Sequence, residues 1–214
     1  MRNKFDMQLE QLSSQLVYMG SLCEKAITNA TKALKHGDLE LAKEVMKDDE
    51  AIDQMEKEVE RLCLKLLLQQ QPVAKDLRQI SAALKMITDM ERIGDQVSDI
   101  AEIIISAGMS EATEVPIIGQ MAEATCKMMH DSVRAYVAKD LELARKVIAA
   151  DDEVDNMFNK FRSELIEMIA DNHGNQGQSA FDLMMISKYL ERIGDHTTNI
   201  AEWVEFSITG VHVE

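Results

Sequence analysis

Four acidic pairs have their members four residues apart: Asp49 and Asp53, Glu91 and Asp95, Asp151 and Asp155, Glu191 and Asp195. On a helix, residues four apart stand one above the other on a single face, so each pair presents two carboxylates side by side. Spacing alone is weak evidence, because such pairs also decorate solvated faces, and Glu44 with Asp48 reads as that ordinary case. The positions of the four pairs relative to two turns carry more weight. In an antiparallel helical hairpin, residues equidistant from the turn face each other. Asp49 and Asp95 lie 23 residues either side of Pro72, and Asp53 and Glu91 lie 19 either side. In the second half, Asp151 and Asp195 lie 22 residues either side of His173, beside Gly174, and Asp155 and Glu191 lie 18 either side. Pro and Gly mark both midpoints as turns independently of the acids. Four carboxylates are therefore expected at one level across each hairpin.

Like charges at this spacing cost a few tenths of a kcal/mol on one helix, and closer contacts across helices raise carboxylate pKa values or call for a cation. Oxygen-only ligands favour hard ions such as iron, manganese, magnesium or calcium, and zinc also accepts carboxylates. The acidic strip continues through Asp99 and Glu102 in one half and through Asn199 and Glu202 in the other, enough for more than one ion. The plain alternative is a row of solvated acids paired with Arg92, Arg192 and nearby lysines. His196, next to Asp195, is either a further ligand or a surface histidine; the first half has Gln96 there. Gly94 and Gly194 each cost about 1 kcal/mol in a helix relative to Ala, and either permit close helix approach or are simply tolerated. Trp203 is core or an interface anchor. The fifteen Met residues are core filler, with a minority available as an adaptable docking surface.

The elements that must hold these acids are helices. Phe5, Leu9, Leu12, Leu16, Met19, Cys23, Ala26, Ala30 and Ala33 alternate steps of four and three, a bundle seam. His36-Gly37-Asp38 stops that helix, with Gly as C-terminal cap and Asp38 capping the next. A second helix runs to about Gln70 with Val45, Ile52, Met55, Val59, Leu62 and Leu66 inward, and a third runs from beyond Pro72 to about Ala107 with Leu84, Ile87, Met90, Val97 and Ile104 inward. After the stretch GMSEATEVP, helices are predicted over about 116–138, 140–171 and 180–208, the fifth burying Val147, Val154, Phe158, Phe161 and Leu165. HGNQGQS (173–179) reads as a loop. The plan is duplicated in the letters. DLELA recurs at 38 and 140, and ERIGDQVSDIAE (91–102) recurs as ERIGDHTTNIAE (191–202). The reading is all-α, two tandem three-helix bundles related by pseudo-twofold symmetry, with repeats at 1–107 and 117–214 and a linker at 108–116.

Composition narrows the function. The 214 residues are 46% hydrophobic but only 4% aromatic, with two Pro, which favours helix. A net charge of −15 argues against nucleic acid and against broad docking on anionic lipid, since neither finds a basic face on such a chain. Three scattered cysteines without CxxC spacing suit reduced thiols, and no signal core or membrane-spanning apolar run is present, so a soluble, cytoplasmic protein is expected without direct membrane insertion. No Glu-x-x-His supports a carboxylate-bridged di-iron enzyme. That metalloenzyme and a purely structural helical scaffold stand as the alternatives to a metal-binding regulator.

The twin ERIGD segments, the segments at 49–53 and 151–155, and the six-helix duplication together resemble the PhoU family across essentially the whole chain. The resemblance implies two three-helix bundles and multinuclear metal clusters of iron or zinc. By position its ligands are Asp49, Asp53, Glu91, Asp95 and Asp99, then Asp151, Asp155, Glu191, Asp195 and Asn199. Asn199 departs from the pattern, which implies weaker or different metal loading of the second site. It further implies a non-enzymatic, cytoplasmic negative regulator of phosphate uptake and phosphate-starvation signalling. Such a regulator acts between the ATPase subunit of a phosphate ABC transporter and a sensor histidine kinase, and a homodimer is expected.

Overall fold

The computed structural model describes residues 2–69, 72–110, 115–171, 173 and 176–211. Six helices follow in order: α1 (Arg2–His36), α2 (Leu39–Gln69), α3 (Ala74–Ser106), α4 (Pro116–Ala138), α5 (Leu141–Asp171) and α6 (Gly177–Thr209). There is no strand among the described residues. α1 to α3 form one three-helix bundle and α4 to α6 a second; the bundles join along α3 against α6 and α1 against α4. A single apolar core runs through all six helices.

The turns follow from local chemistry. Gly37 takes a left-handed φ of 66°, Asp38 N–H closes the helix end on Ala33 O at 2.9 Å, and the Asp38 carboxylate then caps α2 by accepting from Leu41 N–H at 2.9 Å. The second copy repeats this turn with Lys139 in the glycine position at φ 54°: Asp140 N–H reaches Ala135 O at 2.9 Å, and Leu143 N–H donates to Asp140 at 3.0 Å. A non-glycine residue is thus held left-handed by the same capping bonds. At the start of α3, Val73 N–H donates to Asp76, and Pro116 opens α4 where its missing N–H costs nothing.

The expected seams are buried. Leu12, Leu16, Met19 and Cys23 are fully enclosed, and each large side chain of this kind contributes roughly 1.5–3 kcal/mol. Leu9 and Leu84 lie at the core's edge. One boundary differs from the sequence reading. α6 begins at Gly177 rather than near 180, because Ala180 N–H already bonds Gln176 O and the Gln178 side chain bridges to Asp182. The expected midpoint Gly174 and part of the expected linker, 111–114, lie outside the described residues, as does the predicted α2 end at Gln70.

Candidate metal clefts

Each bundle holds one cleft between the two helices of its hairpin. In the first, Asp49 and Asp53 on α2 face Glu91, Asp95 and Asp99 on α3. Burial and then the negative charges of Asp95, Asp53 and Asp99 push Asp49 up to about 6. Burial, with Asp95, Glu56 and Asp53 nearby, raises Glu91, and burial with Asp53 and Asp99 raises Asp95. The second cleft repeats the arrangement. Burial, then Asp195 and Asp155, raise Asp151 to about 6, with the Thr198 hydroxyl opposing them. Burial and Glu191 raise Asp195, while Lys188 opposes the shift. The hairpin register places these acids opposite one another, as equidistance from the turns requires.

The glycines explain how close the helices come. A Cβ on Gly94 would sit 2.5 Å from Asp49 Oδ1 and 3.1 Å from Ile52 Cδ1; on Gly194 it would sit 2.8 Å from Asp151 Oδ1. Gly therefore vacates the space into which each Asp points. These same two oxygens are buried and receive no hydrogen bond. A buried acceptor left unpaired costs roughly 1–3 kcal/mol, more when charged. A proton or a cation is what such an oxygen lacks, so the donor set fits a bound cation. Among the described residues no three His, Cys, Asp or Glu side chains converge closely enough to hold a metal ion, so ligation would require the cleft carboxylates to draw together.

The two clefts are unequal. Glu56, which the sequence reading did not single out, adds its carboxylate to the first and is itself raised by burial and by Glu60 and Asp53. Its counterpart in the second is Phe158, and over that ring lies Lys188 Nζ at 5.2 Å, which also pairs with Glu191. In the first, Lys57 lies 3.8 Å from Asp53, and the Arg92 charge opposes the rise of Glu91. Asp48, read as a bystander, pairs with Lys25 at 2.7 Å.

Asn199, the position equivalent to Asp99, stands at the α3–α6 seam. Its amide donates to Asp89 Oδ1 at 3.2 Å, across the α3–α6 seam. His196 Nδ1 lies 3.0 Å from that same oxygen, so it is neither a surface histidine nor aimed at its neighbour Asp195. The pseudo-twofold mate of this contact is Tyr189 beside Asp99; burial and that carboxylate raise the Tyr189 phenol. Asp89 has no repeat signature, since Tyr189 stands in its place, and so it escaped the sequence reading. Trp203 packs edge-on to Phe206 at the core's margin, with Lys85 over its ring.

The PhoU domain family model matches residues 16–104 and 118–204. A phosphate-specific transport system accessory protein PhoU homolog from Clostridium acetobutylicum is 38% identical over 100% of this chain and 98% of its own. One from Zymomonas mobilis is 38% identical over 96% of this chain and 87% of its own. Among solved structures, PhoU from Pseudomonas aeruginosa superposes with a TM-score of 0.89 at 32% identity, covering 97% of this chain and all of that one. The phosphate transport system regulatory protein PhoU from Streptococcus pneumoniae gives 0.90 at 26% identity over 98% and 99%. With the family model matching both halves and the duplicated acid-lined hairpins in place, the chain belongs to the PhoU domain family.

Proposed function

We propose that this chain is a regulatory accessory protein of phosphate transport whose two clefts hold metal. The family is one of accessory proteins rather than enzymes, and its named relatives serve the phosphate-specific transport system. The observation that carries the metal reading is the pair of buried, unpartnered oxygens, Asp49 Oδ1 and Asp151 Oδ1, each backed by a glycine and flanked by opposed acids. Asp49, Asp53, Glu91, Asp95 and Asp99 would hold the first group, and Asp151, Asp155, Glu191 and Asp195 the second. Iron or zinc in clusters of more than one ion suits this many oxygen ligands. Bound cations supply the positive charge that lets both walls of a cleft stay ionised while close together, and so fix the hairpin's shape.

On this reading the protein works in the cytoplasm as a partner of a transporter's ATPase subunit and relays the transporter's state to a sensor histidine kinase. No helix among the described residues is long and apolar enough to cross a membrane. A homodimer is part of the same proposal. Purification of tagged protein from cells grown in high and low phosphate tests the role. Phosphate-transporter subunits should be recovered with it, and their consistent absence in both conditions would refute the adaptor reading. The scaffold alternative draws on the Lys57–Asp53 and Lys188–Glu191 pairs, which neutralise one acid in each cleft. They leave Asp49 and Asp151 without a cation among the causes that set their charge.

A further inference from the structure

The tip of the α2–α3 hairpin differs from the rest of this acidic molecule. Leu68 is 84% exposed, and Leu64, Val73 and Leu77 are also exposed. Solvent-facing Arg61, Lys65 and Lys75 flank them, and none of the three makes an ion pair among the described residues. Residues 61–78 carry four Lys or Arg against one acid, Asp76, which caps α3. The matching tip of the second bundle exposes Ile166 and Phe181, yet the corresponding residues 163–178 carry no Lys or Arg and three acids, Glu164, Glu167 and Asp171. Pseudo-symmetry thus supplies an internal control: both tips are apolar, and only one is basic.

We propose that the α2–α3 tip is an interfacial contact for an anionic phospholipid surface, with the leucines entering the headgroup boundary and the cations meeting lipid phosphates. Two helix ends side by side cover roughly 20 by 10 Å. That is far less than the roughly 800 Å² each partner gives to a stable protein interface, whereas a lipid surface sets no such minimum. The net charge of −15 forbids a broadside approach but not this one. Glu56, the acid of the first cleft on α2 nearest the tip, stands twelve residues from Leu68, about 18 Å along α2. That is about two screening lengths of roughly 8–10 Å, so repulsion between the acid clefts and a membrane at the tip is largely screened. The contact is independent of the metal reading.

The test is cosedimentation of the full chain with vesicles of phosphatidylcholine alone and of phosphatidylcholine mixed equally with phosphatidylglycerol. Binding is expected to the mixed vesicles only, and to weaken with salt. Lys65→Gln with Lys75→Gln should lower partitioning about five-fold per charge removed. Leu64→Gln with Leu68→Gln should abolish it, while Ile166→Gln with Phe181→Gln at the acidic tip leaves it unchanged. Leu68→Gln alone, at the most exposed position, keeps the test valid if the double variant melts early. Equal binding to both vesicle types, binding to neither, or indifference to the α2–α3 substitutions would overturn the proposal. Loss of transporter association by the same variants without any vesicle binding would reassign the tip to a protein partner and equally reject it.

Discussion

Asp49 and Gly94 form a matched pair: the aspartate oxygen occupies the volume that any larger residue at 94 would claim. Gly94→Ala gains about 1 kcal/mol of helix propensity. It also forces Cβ against Asp49 and Ile52, and overpacking of this kind costs roughly 1–3 kcal/mol. We expect the variant to lose stability and to release metal from the first cleft, as read by urea midpoint and by metal content. Gly194→Ala should do less harm, because its nearest contacts are 2.8 and 3.4 Å. An alanine at 94 that both stabilises the protein and keeps its metal would show that the cleft is not where the cation sits. Asp89 answers to a different logic. Its buried carboxylate holds the half-buried His196 and Asn199, so Asp89→Ala leaves both without that partner and should cost about 1 kcal/mol. A thermal melt matching that of the unaltered protein would contradict this.

At the level of the helices, the hairpins do most of the positioning. Their register was legible because Pro72 and the 173–174 turn divide each acidic set evenly, and because repeated segments fix six helices. What stayed hidden has a physical cause in each case. α6 starts early because Gln176 and Gln178 supply capping and side-chain bonds that a Gly-rich stretch does not advertise. Lys139 adopts a glycine's conformation because the Asp140 turn around it is kept. Glu56 and Asp89 went unnoticed because the repeat that exposed the other acids breaks at just those positions, to Phe158 and Tyr189. The same asymmetry makes a prediction. With Lys188 paired to Glu191, Phe158 in place of Glu56 and a neutral Asn199 in place of Asp99, the second cleft should hold its cations less tightly. Stepwise chelation should empty it first, followed through the loss of metal from Asp49→Asn and Asp151→Asn variants. Simultaneous loss at one chelator concentration would count against unequal sites.

For the whole molecule, the clefts set an unusual pH dependence. Asp49 and Asp151 sit near 6 when folded, against an ordinary value of 3.8. Between those values the metal-free folded chain holds protons that the unfolded chain has released. Its stability therefore rises as pH falls through about 6 and is lost as pH climbs back through it. Metal-stripped protein should melt at a higher temperature near pH 5 than near pH 7, and Asp49→Asn should flatten that difference. Added cation should restore the melting temperature at neutral pH, since a ligand bound only by the folded form stabilises it. A metal-free protein that melts higher at pH 7 than at pH 5 would contradict this.

Elemental analysis of protein purified without chelator bears most directly on the metal clefts, carried out beside the Asp49→Asn with Asp151→Asn variant. The account predicts iron or zinc at one or more ions per chain in the unaltered protein and a marked fall in the variant. A folded, metal-free protein from metal-replete cells, or equal metal in both, would contradict it.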